Sequence, residues 1–236
     1  MKLLAHISDD KTRTQTIEEH LTSTAALAGN FAAAFGAQAE AAYTALLHDI
    51  GKYSVGFQQR LQGGPPVDHS TAGAKAAIQD GNIPAALAIA GHHSGIPDLG
   101  NPHDTADEST LVGRSKRRIE DCSQWKQEIS PAKAALPPWL LRQPDNLTMA
   151  FFTRMLYSSL VDADFIDTET FMDGKAAPRG SGTDIAALRD IVSAQAQRYL
   201  RAESPSPVSV QRNTVLRACL EKGAHGPQGL YTLTVP

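Results

Sequence analysis

Alanine places the strongest constraint on what this chain can fold into. It recurs through IEEHLTSTAALAGNFAAAF (residues 17–35), QAEAAYTALLHDI (38–50) and PAALAIAGHH (84–93). It loses least on entering a helix, so the pattern predicts an all-α fold. One helix is expected from Thr16 to Phe35, a second over 38–50, a short third over Ser54–Leu61, a fourth over Asp68–Asp80 and a fifth opening at Pro84, where proline suits a first turn. Residues 94–109 (SGIPDLGNPHDTADES) read as loop, a candidate lid or groove wall. LVGRSKRRIEDCSQWKQEI reads as a further helix, and PPWLLRQPDN as a break. The long apolar run LTMAFFTRMLYSSLVDADFIDTETFM reads as a central helix. Phe31, Phe35, Phe151, Phe152, Met155 and Tyr157 are expected in the core, and Trp125 and Trp139 are expected to pack beside the break or serve a docking surface.

After a last amphipathic helix, DIAALRDIVSAQAQRYLRAE, the small-residue stretch SPSPVSV reads as a linker. The tail has a helix-like half, then GLYTLTVP, which has the look of a strand. The expected organisation is one helical domain over residues 1–203 and a separate segment over 204–236.

Several function classes are disfavoured. The net charge is -3, from 22 Lys+Arg against 25 Asp+Glu. A broad nucleic-acid grip needs a basic excess, so contact with nucleic acid would be local or metal-mediated. No run of apolar residues is long enough for a membrane span. The N-terminus turns polar too early for a signal peptide. Cys122 and Cys219 stand far apart, outside any metal spacing, and a reducing cytoplasm is the expected location.

The histidines carry the chemistry. His20 lies mid-helix; His48 precedes Asp49, His69 follows Asp68, and His92 and His93 are adjacent. His48, Asp49, His92 and His93 end markedly apolar helices, where burying several polar rings costs several kcal/mol unless each has a partner. A shared metal is an efficient partner for imidazole and carboxylate. Asp49 could bridge two ions through its two oxygens, and Lys52, three residues on, shares its face and could meet a substrate phosphate. A late carboxylate is also needed. Asp162, Asp164 and Asp167 are all available, and position alone does not choose among them.

The blocks EEH (18–20), LLHDIGKYSVGFQ (46–58), DHSTAGA (68–74), AIAGHHSG (88–95) and LYSSLVDADFIDTE (156–169), in this order, resemble the HD nuclease domain of the CRISPR-associated helicase-nuclease of type I systems. LVDADFIDTE looks most like the type I-C branch. The resemblance covers roughly residues 1–203 and implies an HD-domain metal-dependent phosphohydrolase-like helical bundle. It also implies a ligand set: His20, His48 and Asp164 on one metal, His69, His92 and His93 on a second, and Asp49 bridging. Asp164 is selected because it matches the aspartate of the family's AD-aromatic step.

By the same resemblance Lys52 contacts the scissile phosphate, and Thr71 or Ser94 adds hydrogen bonds to ligands or substrate. The implied reaction is hydrolysis of single-stranded DNA through a water activated by two metals. The imidazole-rich shell favours iron, manganese, nickel or cobalt over magnesium. The implied partners are single-stranded DNA, the helicase domain of the same full-length protein and the CRISPR RNA-guided surveillance complex. QRNTVLRACL and YTLTVP resemble the entry to a helicase phosphate loop, but no GxxxxGK[ST] is present, so no ATPase activity is expected from these residues. Lys116, Arg117 and Arg118 are a candidate strand guide. A nucleotide or cyclic-dinucleotide phosphohydrolase and a non-catalytic helical module are the alternative readings.

Overall fold

In the computed structural model, residues 2–142, 145–180, 182, 184–201, 203–227 and 229–234 are described. By contact density the chain divides into Met1–Ala177 and Pro178–Pro236.

The first unit opens with a small antiparallel hairpin, β1 (Leu4–Ile7) against β2 (Thr14–Thr16), with an irregularity in register between Leu4 and His6. The hairpin feeds α1 (Ile17–Ala32), whose start is a capping box: Thr16 accepts from Glu19 N while the Glu19 carboxylate accepts from Thr16 N. Two backbone N–H groups at the helix start are thus satisfied by the T-x-x-E pattern. Then follow α2 (Gln38–Leu47), a 3-10 turn at Ile50–Tyr53, α3 (Val55–Arg60), α4 (Ser70–Gln79) and α5 (Ile83–Gly91). Asn82 caps α5 and Pro84 sits in its first turn, where the missing N–H costs nothing.

Next come α6 (Leu111–Lys116), α7 (Trp125–Glu128), α8 (Pro138–Arg142) and the 28-residue α9 (Asn146–Asp173). α9 ends at Gly174, whose φ of +71° closes it in the left-handed region. In the second unit α10 (Ile185–Leu200) packs against α11 (Pro207–His225).

The core of the first unit lies among α1, α2, α5 and α9, with α4 packed on α5. Ile17, Leu21, Leu47, Ile89, Phe152, Leu156 and Leu160 are wholly buried. Each such side chain contributes about 1.5–3 kcal/mol by leaving water. The alanines set how closely the helices approach. Glycine takes this to its limit: a Cβ on Gly73 would overlap the Leu47 carbonyl oxygen, and one on Gly51 would overlap the His69 backbone. These two contacts press the start of α4 onto the residues that follow α2.

Several expectations need correction. The second helix ends at Leu47, not residue 50, because the chain turns at His48–Asp49 into the 3-10 segment. The stretch expected as one helix from Leu111 is two short ones, since Arg117 takes an extended conformation and stops α6. PPWLLR carries α8 instead of only a break. Phe151 is exposed, because the buried stripe of α9 runs through Phe152, Leu156, Leu160 and Ala163.

Residues 229–234 form no strand, and Val235 and Pro236 lie outside the described residues. The division after Ala177 falls before the boundary expected at residue 203. Cys122 and Cys219 are both free thiols. No helix among the described residues is long and apolar enough to cross a membrane.

Candidate metal centre

Two of the site histidines are placed by the same local device. His48 and His92 each follow the last residue of an apolar helix, α2 and α5. There the final carbonyls lack helical partners. His48 donates Nδ1–H to Ala45 O and His92 donates Nδ1–H to Ile89 O, both at 2.7 Å. Each bond satisfies a terminal carbonyl, fixes the ring and leaves Nε2 to face the site. His69 donates from Nδ1 to Val67 O at 3.2 Å, and His20 donates from Nδ1 to Asp167 Oδ2 at 2.7 Å. The His20 bond is the carboxylate–histidine arrangement that orients metal-binding imidazoles.

The Nε2 atoms converge on Asp49. Its Oδ2 lies 3.4 Å from His20 Nε2 and 3.3 Å from His48 Nε2. Its Oδ1 lies 3.4 Å from His69 Nε2 and 3.3 Å from His92 Nε2. Asp164 Oδ1 joins the first side, 3.4 Å from His20 Nε2 and 3.6 Å from His48 Nε2. On the second side His93 Nε2 faces His69 Nε2 at 2.7 Å. With Nδ1 of His69 already donating, that ring presents a lone pair to its neighbour. Among the described residues, two groups could therefore each hold a metal ion: His20, His48, Asp49 and Asp164, and Asp49, His69, His92 and His93.

The residues fit such ions. His20 Nε2, His48 Nε2, His92 Nε2 and both Asp49 oxygens are buried without a hydrogen-bond partner. Leaving a buried polar atom unpaired costs about 1–3 kcal/mol. Lys52 already meets Asp49 Oδ2 as an ion pair, and the other four atoms pointing together call for a shared electrophile. Their spacing suits one as well, since ligand atoms about 2.0–2.2 Å from an ion lie roughly 3–4 Å from one another.

Electrostatics separate the two groups. Burial opposes charge on His48, but Asp49 and Asp164 outweigh it and raise its pKa to about 10. Burial and Lys52 oppose charge on His20, yet Asp164, Asp167 and Asp49 raise it too. Burial works against ionised Asp49 and Asp164, but the histidines hold both well below the usual carboxylate range, helped at Asp49 by Lys52. On the other side burial lowers His69, and burial with the nearby His92 lowers His93 to about 4.

Of the three late aspartates, Asp162 is exposed, Asp164 enters the first group and Asp167 lies behind it, bonded to His20. Lys52 comes round the 3-10 turn to approach Asp49 Oδ2 at 2.7 Å as an ion pair. Thr71 is spent on Asp68, by Oγ1 to Oδ2 at 2.7 Å and by its backbone N–H at 3.1 Å, so it stabilises the start of α4.

His6 and Gln15 escaped the sequence reading. Lys52 Nζ donates to His6 Nε2 at 3.0 Å, and His6 Nδ1 donates to Gln15 Oε1 at 2.8 Å. Gln15 Nε2 then donates to Asp167 Oδ2 at 2.9 Å. A continuous chain so links Lys52 through the hairpin to the carboxylate that holds His20. The only sequence signal was a histidine in a four-residue strand, too short to be read by alternation. The loop over 94–110 is tied down rather than free, by Leu111 N–H to Asp98 O at 2.9 Å and Lys116 Nζ to Pro102 O at 2.7 Å.

Residues 17–124 match the family model described as HD domain. The match covers less than half of the chain; the mostly helical first unit is consistent with an all-α HD-type bundle, and the His/Asp groups are compatible with a metal-dependent hydrolase. The match spans His20, His48, Asp49, His69, His92 and His93 and stops before Asp164 in α9 and after His6 in β1. A search of curated proteins finds no match to this chain.

Proposed function

We propose that residues 1–203 form a metal-dependent phosphodiesterase that hydrolyses single-stranded DNA, the nuclease arm of CRISPR interference. The observation that supports this most is the set of five buried atoms centred on Asp49, four without a hydrogen bond and Asp49 Oδ2 met only by the Lys52 ion pair. His20, His48 and Asp164 would hold one divalent ion, His69, His92 and His93 a second, and Asp49 one oxygen of each. Bound there, such ions would supply Lewis acidity toward a phosphoryl oxygen and lower the pKa of water. The imidazole-rich donor set favours iron, manganese, nickel or cobalt.

The chain's own residues do the rest. Lys52 directs two of its three N–H bonds toward His6 and Asp49, which leaves a third for a non-bridging phosphate oxygen. Both groups contain only histidine and aspartate, so water rather than a side chain is the nucleophile. His93 is exposed, so substrate reaches the site past this ring. The choice of single-stranded DNA rests on the likeness of the five sequence blocks. So do the proposed partners, a helicase domain of the same polypeptide and the RNA-guided surveillance complex, and the cytoplasmic location. A net charge of -3 suits a nuclease to which another domain delivers the strand.

The test is metal-loaded protein against a single-stranded oligonucleotide and against free nucleotides. The expected result is a shortened oligonucleotide without base preference, falling to background in a folded Asp49→Ala variant. Turnover of nucleotides with the oligonucleotide left intact would remove the nuclease reading. Full cleavage by Asp49→Ala would remove the metal site itself.

A further inference from the structure

The basic stretch LVGRSKRR points by composition at Lys116, Arg117 and Arg118, but the structure uses the first two elsewhere. Lys116 donates to the Pro102 and Asp104 carbonyls, and Arg117 donates to Ala106 O at 3.0 Å and pairs with Asp68 at 3.3 Å. Both hold the wall formed by residues 94–110.

Arg114 is different. Among the described residues no carboxylate lies within ion-pair distance of it, and its Nε is buried without a hydrogen-bond partner. Its two terminal nitrogens reach only serine hydroxyls, Ser70 Oγ at 3.3 Å and Ser94 Oγ at 3.5 Å. Asp68 feels its charge through space but is already bonded to Thr71 and paired with Arg117, so the guanidinium has no anion in direct contact, which a ligand can supply.

Its position says which anion. Ser70 follows His69 and Ser94 follows His93, the pair whose Nε2 atoms face each other at the open edge of the metal centre. Arg114 and Ser94 also line a cavity of about 500 Å³ with Gly95, Asp98, Glu108 and Thr110. Of the two acids there, Glu108 is taken up by the Thr105 N–H and by Thr105 Oγ1, and Asp98 is exposed, where water and salt screen it. The planar fork of arginine matches phosphate oxygens, and hydroxyls that now accept from it can turn to donate to the same group.

We propose that Arg114, with Ser70 and Ser94, forms a subsite for a backbone phosphate of the nucleic-acid strand, next to the phosphate being hydrolysed. The subsite rests on the phosphodiesterase reading above. It holds the strand by charge and by shape, without reading bases.

Two measurements on Arg114→Ala and Arg114→Lys test it, with melting curves confirming that both fold. The first compares turnover of a single-stranded oligonucleotide with that of bis(p-nitrophenyl) phosphate, which has one phosphodiester and no neighbour. The oligonucleotide rate of Arg114→Ala should fall about ten- to a hundredfold further than the small-substrate rate, with Arg114→Lys between it and the wild type. The second is oligonucleotide binding in chelator across a salt series, where the slope of log affinity against log salt should become shallower by about one in Arg114→Ala. Equal losses on both substrates, or no loss and an unchanged slope, would overturn the subsite while leaving the nuclease reading in place. A wild-type protein that hydrolyses the small diester but neither binds nor cuts the oligonucleotide would overturn the nuclease reading and the subsite with it.

Discussion

The two halves of the site share Asp49 and differ in almost everything else. The half formed by His20, His48 and Asp164 is buried in the bundle, has a second carboxylate, and is backed by Asp167 and the His6–Gln15 link. The half formed by His69, His92 and His93 has only one Asp49 oxygen for charge and is exposed at His93. Without a cation the first half keeps protons on its rings, while burial keeps His69 and His93 neutral. The difference teaches that one carboxylate can join two kinds of ligand pocket. The buried pocket would bind by strong charge against proton competition, and the open one more weakly but with His69 and His93 already neutral.

The sharpest challenge to this contrast is to remove one ligand from each half. Asp164→Ala should cost the folded protein about one equivalent of tightly held metal, while His93→Ala should chiefly raise the concentration needed to fill the open half. Elemental analysis across a metal titration measures both, and equal effects would erase the distinction. A smaller effect is expected from Asp167→Ala, which removes the partner of His20 and should weaken the buried half about ten- to a hundredfold. A matching loss at the open half would mean that Asp167 serves the whole bundle.

The smallest effect is in metal-free stability, where the halves should respond to pH in opposite directions. His48, raised to about 10 from 6.5, stabilises the fold fully below pH 6.5 and loses that contribution as pH rises toward 10, on the order of a few kcal/mol. His93, lowered from 6.5 to about 4, makes the unfolded chain the better proton binder, so its side loses stability as pH falls through that window. Urea unfolding of metal-free protein at several pH values should show both limbs. His48→Gln should flatten the alkaline one, and an unchanged alkaline limb would show that the buried half does not trap protons.

Much of the fold was legible because helix formation is local. Alanine content and Pro84 in α5 act within a few residues, and the structure agrees at these points. The short helices α6, α7 and α8 were misread because a single backbone choice, such as the extended Arg117, outweighs composition over a few residues. Phe151 was misplaced because apolar character does not say which face of a long helix is inward.

For the centre, the sequence by itself determined the kinds of donor and their places at the ends of apolar helices, where a ring can fold back onto a free carbonyl. The rest was settled by packing: that Asp162 faces outward while Asp164 and Asp167 stand one behind the other, that Lys52 is held by His6, and that Arg114 reaches two serine hydroxyls beside the site while Lys116 and Arg117 are spent on the neighbouring loop. Those outcomes depend on contacts such as His20 with Asp167, 147 residues apart, and Lys52 with His6, 46 apart. Periodicity fixes directions within one helix. Which neighbour each direction meets is set only when the helices pack.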